Sequence, residues 1–244
     1  MPQLYGELAY NKLSVKIGHF YTPVGYEVIP SNGNFFLSRQ LTFYNSEPFT
    51  HTGVLGTYKH DDKLQILSGW VAGMDTGFQQ FNGSSSYLGG FIYQIAEKTT
   101  FTYMMIGGNL GWRGQGAINS FILSHGWTDK LTTVHQFDVL GSNNPTNFAD
   151  PANPIARDST GFINYAFYQI NDQLKAGVRG EWYKADGQSY YTCTYGVNYF
   201  PCKNLVIRPE MRQMWSPNHE VYGSAQQFGL FNQNVFGIDA IFTF

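Results

Sequence analysis

Segment after segment of this chain alternates apolar and polar residues at period two, and each such segment runs for about ten residues. The last one shows the pattern most clearly. Phe236, Ile238, Ala240, Phe242 and Phe244 share one face, while Val235, Gly237, Asp239, Ile241 and Thr243 share the other. Strands in soluble domains are usually about five to six residues long, whereas a tilted strand needs about 9–11 to cross a bilayer. A chain that ends on such a strand needs a structural reason to do so, because termini usually fray. A closed membrane barrel supplies one, since its last strand must be paired.

Thirteen segments follow the rule: 3–10, 13–22, 49–59, 64–73, 86–95, 99–107, 117–127, 131–141, 160–170, 174–185, 190–200, 205–215 and 235–244. Short polar turns join them in pairs, at Asn11-Lys12, His60–Lys63, Ala96–Lys98, Thr128–Lys130, Asn171–Gln173 and Pro201–Asn204. Between the pairs lie longer connections rich in Gly, Ser, Asn and Pro: Pro23–Pro48, Gly73–Ser85, Gly107–Gly116, Ser142–Ser159 and Ser216–Gln233, with a shorter one at Asp186–Ser189. Short turns on one side and long loops on the other match the layout of an outer-membrane barrel. No helix of useful length and no interdomain linker reads out, so residues 1–244 form one domain.

Composition separates this reading from its rival, a secreted β-rich carbohydrate-binding protein without catalysis. Charged residues make up 13% of the chain, against roughly 25% in soluble proteins, and aromatics make up 17%. No apolar run approaches the roughly 18 residues of a spanning helix. The near-neutral net charge of −2 leaves no footprint for nucleic acid. Cys193 and Cys202 lie too far apart in extended chain to bridge and lack metal-ligand spacing, so both read as free thiols. The expected fold is therefore an all-β, antiparallel, up-and-down transmembrane β-barrel. If the short turns are periplasmic, the first and last segments both run downward and the strand count is odd. Bacterial single-chain barrels have even counts. The expectation is that this chain is the C-terminal part of a larger barrel and lacks at least one upstream strand. The last segment would then pair with a strand outside the chain, or else close in an irregular parallel seam with 3–10. No signal peptide is visible at the N-terminus.

One block carries a family likeness. It reads Gly18-His19-Phe20-Tyr21-Thr22-Pro23-Val24-Gly25-Tyr26-Glu27, then Asn34-Phe35-Phe36-Leu37-Ser38-Arg39, then Pro48-Phe49-Thr50-His51-Thr52-Gly53-Val54. It resembles the OmpL-like putative beta-barrel porin-2 family, whose members carry a G-x-F-x-T-P-x-G-Y-E … F-x-S-R … P-F-x-H-T-G pattern. The resemblance implies a bacterial outer-membrane channel for passive diffusion of small hydrophilic solutes. It also implies outer-membrane lipids and the barrel-assembly machinery as partners, leaves room for a homo-oligomer, and needs no cofactor.

A channel of this kind needs charges around a wet constriction. Lys16, Lys59, Gln136, Asp138, Lys175, Arg179, Glu181, Arg208, Glu210, Arg212 and Asp239 fall on the less apolar faces of their segments. A charge on the lipid face would cost about 2–4 kcal/mol near the midplane, which directs these residues inward. The blander reading makes Arg179–Glu181 and Arg208–Glu210–Arg212 ion-pair ladders between neighbouring strands. The loop Pro23–Pro48 is the constriction candidate, because Tyr26, Phe35, Phe36, Phe43 and Tyr44 make it too apolar to stay solvated. Within it, Glu27 and Arg39 would line the pore, or else pair locally over the rim. Tyr191, Tyr195, Tyr199, Trp127, Trp182 and Trp215 read as girdle residues, and Phe242 and Phe244 as a membrane-assembly signal. Trp112 and Arg113 are a weak sugar-binding pair. An outer-membrane hydrolase is the least supported reading. His19, His51, His60, His125, His135 and His219 form no metal or nucleophile pattern, so the expectation is no enzyme, no catalytic residue and no metal.

Overall fold

The computed structural model describes residues 2–143, 156–217 and 232–244. The greater parts of the expected loops 142–159 and 216–233, with His219, lie outside the described residues. The strands are β1 (Leu4–Tyr10), β2 (Leu13–Tyr21), β3 (Thr50–Lys59), β4 (Leu64–Val71), β5 (Ser85–Ala96), β6 (Thr99–Asn109), β7 (Gln115–Gly126), β8 (Leu131–Ser142), β9 (Asp158–Asn171), β10 (Leu174–Ala185), β11 (Gln188–Cys202), β12 (Leu205–Trp215) and β13 (Asn232–Phe242). Each pairs antiparallel with its sequence neighbours in one thirteen-stranded sheet. Every segment expected from alternation is a strand, with ends that differ by a few residues. Among the described residues no pairing joins β1 to β13, so the parallel seam does not form. The expected connection at Asp186–Ser189 is tighter than read. Asp186 and Gly187 alone make it, at φ 48° and 90°, the backbone of a two-residue hairpin that follows the strand twist.

The sheet curls around one of its faces. Phe20 of β2, Leu55 of β3, Leu67 of β4, Leu88 of β5, Ile106 of β6, Ile118 of β7, Leu140 of β8, Tyr183 of β10 and Tyr190 of β11 belong to a single buried cluster. Together these side chains line that face from β2 to β11. The opposite face is exposed and apolar, carrying Leu8, Ile17, Trp70, Tyr93, Phe137, Phe162, Val178, Tyr195, Phe236, Ile238 and Phe242. An apolar belt this extensive has no place in water and fits hydrocarbon. Among the described residues no helix is long and apolar enough to cross a membrane.

The inner face has two halves, where the sequence reading had expected a wetter face on every strand. From β3 to β7 it is aliphatic, with Leu55, Leu67, Leu88, Met104, Ile106, Ile118 and Ile122 all buried. From β8 to β12 it also carries buried polar and ionic side chains, Gln136, Asp138, Arg179, Glu181, Arg208, Glu210 and Arg212, among apolar ones such as Val134, Ile163 and Phe167. Both faces are apolar in the first half, so alternation there marks a strand without marking its wet side. The outward assignment is testable at mid-strand in β10. Val178→Lys is expected to destabilise the barrel by roughly 2–4 kcal/mol in denaturant titrations in phospholipid vesicles. Lys184→Ala, on the same face nearer the long-loop end, is expected to change stability by less than about 1 kcal/mol.

Candidate functional site

The segment 22–49 between β2 and β3 closes at its base through Thr22 N–H donating to the Phe49 carbonyl at 3.0 Å. From there it runs along the polar half of the inner face. It reaches as far as Arg208, seven residues along β12 from Trp215 at the long-loop end, or about 23 Å of strand. It holds a 3₁₀ turn, Ser31–Gly33, and one short helix, α1 (Leu41–Asn45), which the sequence reading had not distinguished from loop.

No side chain within the segment caps α1. The cap comes from the wall: the Glu181 carboxylate accepts from Leu41 N–H and Thr42 N–H, each at 2.8 Å, and from Thr42 Oγ1–H at 2.8 Å. A carboxylate at free helix amides is favoured both by hydrogen bonding and by the helix dipole. Glu210 does the same one bend earlier, accepting from Leu37 N–H at 2.7 Å and Ser38 N–H at 3.1 Å. The arginines take the carbonyls. Arg208 donates to the Ser31 and Asn34 carbonyls at 3.0 and 2.7 Å, Arg179 to that of Ser38 at 2.9 Å, and Arg212 to that of Arg39 at 2.8 Å. Acids of the wall therefore hold the loop's N–H groups, and bases of the wall hold its C=O groups.

At the centre, Arg179 Nη1 donates to Glu27 Oε1 at 2.5 Å, and both side chains are almost wholly buried. Glu27 also accepts from Tyr165 O–H at 3.0 Å and Gln40 N–H at 3.0 Å. Gln40 Nε2 donates to Gln136 Oε1 at 2.9 Å and contacts the Tyr165 hydroxyl. Phe35 and Phe36 pack on Phe167 beside this network. The wall is shaved to admit the loop. A Cβ on Gly177 would stand 2.5 Å from the Phe35 ring, and one on Gly161 would strike the Thr42 hydroxyl. Burial beside Glu27 pushes the Tyr26 phenol up to about 12, burial lowers the Arg39 guanidinium, and burial raises the Asp75 carboxyl although Phe49 N–H and Thr50 N–H donate to it.

The expected site residues divide accordingly. Glu27, Arg39, Arg179, Glu181, Arg208, Glu210, Arg212 and Asp239 come together with the loop, joined by Gln136 and Asp138. They are packed against the loop instead of standing as a free ring of charges. The inter-strand ladders do not form as expected. Of those charges only Arg208 has an inter-strand ion pair, with Asp239 through Nε at 2.8 Å and Nη2 at 2.5 Å. Arg39 does not pair with Glu27. It donates weakly to the Phe36 and Ile29 carbonyls and lies over the Phe43 ring. Lys175 sits over the Phe35 and Phe167 rings. Lys16 is apart, facing Glu7 of β1 at 4.0 Å, and Lys59 pairs with Asp62 at a turn. Phe242 and Phe244 stack at the exposed end of the sheet.

Trp112 and Arg113 do not stand together at the surface, since Trp112 is exposed and Arg113 is not. Arg113 is buried and donates to the Ala156 and Asn45 carbonyls, and Trp112 donates to that of Met74. His51 is engaged by Thr22 and the Gly73 carbonyl, with no serine between them. Among the described residues no group of three or more His, Cys, Asp or Glu is placed to hold a metal ion. Sequence reasoning missed Gln40, Thr42, Glu47 and Tyr165. Tyr165 falls in phase with the inward residues of β9, whereas the three loop residues carry no periodic signal.

A family profile described as putative beta-barrel porin-2, OmpL-like, matches residues 1–244. No curated protein matches the sequence. Among solved structures, the anion-selective porin from Comamonas acidovorans is similar at 9% identity over 97% of this chain and 73% of that one, with a TM-score of 0.64. OccK5 (OpdH) of Pseudomonas aeruginosa is similar at 14% identity over 86% of this chain and 63% of its own, with a TM-score of 0.60. OccK8 (OprE) of the same organism gives 10%, 97%, 69% and 0.60 for the same measures. At these identities the likeness is one of fold. This chain spans less than two thirds of the length of OccK5, OccK11 and OpdQ.

The buried pair predicts a stability signature. Arg179→Met strands Glu27 without its cation and is expected to cost roughly 3–5 kcal/mol. Adding Glu27→Gln is expected to recover a large part of that loss. Denaturant titration of the two single variants and the double variant checks it.

Proposed function

The chain belongs to the putative beta-barrel porin-2, OmpL-like family, and from that membership we propose that it forms the wall and constriction of an outer-membrane channel for passive diffusion of small hydrophilic solutes. The observation that carries the reading is the loop 22–49 laid along the ionic half of the inner face, held by Arg179, Glu181, Arg208 and Glu210. A loop fixed at mid-wall narrows the space that a barrel encloses, and buried charges beside it set the field that a solute meets. Glu27 and Arg39 brace this loop from within, Arg212 and Asp239 flank it, and Lys175 borders it below. Lys16 with Glu7 lies on the inner face of the opposite edge, away from the loop.

Outer-membrane lipids cover the apolar face, and the chemistry assigned to the interior is passage without catalysis. Phe242 and Phe244, exposed at the end of β13, serve the barrel-assembly machinery as a recognition signal. The homo-oligomer stays a proposal that the apolar face can accommodate.

Planar-bilayer recording of the full-length protein tests the constriction. The wild type is expected to give discrete steps. Glu27→Gln with Glu210→Gln, which loosens the loop at two anchors, is expected to raise the step size at least twofold and to change ion selectivity. Unchanged conductance and selectivity in that variant would remove the loop from the pore.

A further inference from the structure

Glu47, near the loop's return to β3, meets the wall at a second carboxyl. Gln136 Nε2 donates one hydrogen to Glu47 Oε1 at 2.6 Å and the other to Asp138 Oδ2 at 3.0 Å, so both acids converge on one amide nitrogen. Both residues are buried to within 2% of full exclusion from solvent. The remaining oxygens, Glu47 Oε2 and Asp138 Oδ1, meet no donor. Sharing that one nitrogen holds the two carboxyl groups side by side.

The surroundings offer no cation to offset two negative charges. On the loop side, Glu47 faces Gly25, whose missing Cβ leaves the carboxyl its space, and Glu27, already committed to Arg179. On the wall side, Asp138 of β8 has Ser120 of β7 as its cross-strand neighbour and Glu181 of β10 as a further acid. Gln136 is saturated, with its oxygen accepting from Gln40 Nε2 at 2.9 Å. Two carboxylates in one desolvated site cannot both ionise without a severe penalty, and a single proton between them both removes one charge and supplies the missing donor.

We propose that Glu47 and Asp138 share one proton and that this proton latches the returning end of the first loop to the wall. Burial beside Asp138 holds the Glu47 carboxyl well above the usual carboxylate range. The sign follows from that direction. A carboxyl whose folded value is raised favours the latched state while it is protonated. That contribution is lost as pH rises through the raised value. At high pH the two acids repel, and the segment 41–49 lifts from β8. Below that raised value it is seated. The latch requires only that the loop pack on the wall and does not require the channel to conduct, so its test reads amide protection instead of current.

Hydrogen–deuterium exchange of the full-length protein in detergent, from pH 5 to pH 10 and corrected for intrinsic rates, follows the loop amides. Ser46 N–H and Glu47 N–H, both bonded to the Thr42 carbonyl, report the latched end. The wild type is expected to lose protection there by about tenfold per pH unit above the shared value, as release of one proton requires. Glu47→Gln keeps the shape and the amide contact but cannot ionise, and it is expected to hold its protection flat across the range. Asp138→Asn gives the same answer from the wall side if the first variant folds poorly, as judged by heat-modifiable migration. Infrared spectra at the acid end of the range are expected to show a protonated-carboxyl carbonyl band that either substitution removes. Flat protection in the wild type, an unchanged pH profile in both variants, or a missing carbonyl band would each overturn the latch.

Discussion

A backbone laid against the inside of a barrel wall must find a partner for every N–H and C=O it buries, and that requirement organises this structure. The first loop is neither helix nor strand over most of its course, so it cannot satisfy its own amides. The wall does it instead. Glu181 and Glu210 accept from loop amides, and Arg179, Arg208 and Arg212 donate to loop carbonyls. Charge-assisted hydrogen bonds of this kind are roughly twice as strong as neutral ones. The ionic side chains of β10 and β12 therefore act as surrogate secondary structure for a segment that has little of its own.

The same requirement explains where the charges sit. Arg179, Thr194 and Arg212 are register neighbours across β10, β11 and β12, and Arg208 pairs across to Asp239 on β13. Arg208 uses the Nε–Nη2 edge of its guanidinium on Asp239. Arg212 faces Val235 at the equivalent register and leaves the same edge without a partner. One arginine thus serves both the wall and the loop, while the other serves the loop through Nη1 alone. Gly161 and Gly177 complete the fit by leaving room for Thr42 and Phe35 at the two places where the loop presses closest.

Period two in the sequence was enough to place every strand, because outward residues must be apolar along the whole sheet. It was enough to turn Arg179, Glu181, Arg208, Glu210 and Arg212 inward, since the alternative puts charge in lipid. It could not give their partners. Glu27 lies 152 residues from Arg179, and Gln40 lies 125 from Tyr165. Nothing periodic links a loop residue to a wall residue, and ladders between strands were the nearest available guess. It also could not separate the two halves of the interior. Leu55, Leu88 and Ile118 alternate with apolar residues on the outer face, so composition along β3, β5 and β7 does not say which side is lined by water. The odd strand count came from the short and long connections, and the sheet order agrees with it.

The two halves of the interior hold by different forces, and this sets what can disturb each one. The aliphatic half, built around Leu88, Ile106 and Ile118, depends on packing and is insensitive to charge. The ionic half is buried too deeply for salt to screen, because ions act over a Debye length of solvent that these side chains do not meet. Raising ionic strength therefore leaves the Arg179–Glu27 pair and its neighbours in place. What reaches them is a change in the charges themselves. Arginine does not lose its proton in any accessible range, and each of Glu27, Glu181 and Glu210 meets an arginine or backbone N–H donors. The contact between Glu47 and Asp138 differs, for it is made of two acids and no base. A loop otherwise fixed by pairing carboxylates with donors and arginines with carbonyls is thereby joined to the wall at one point where two acids meet.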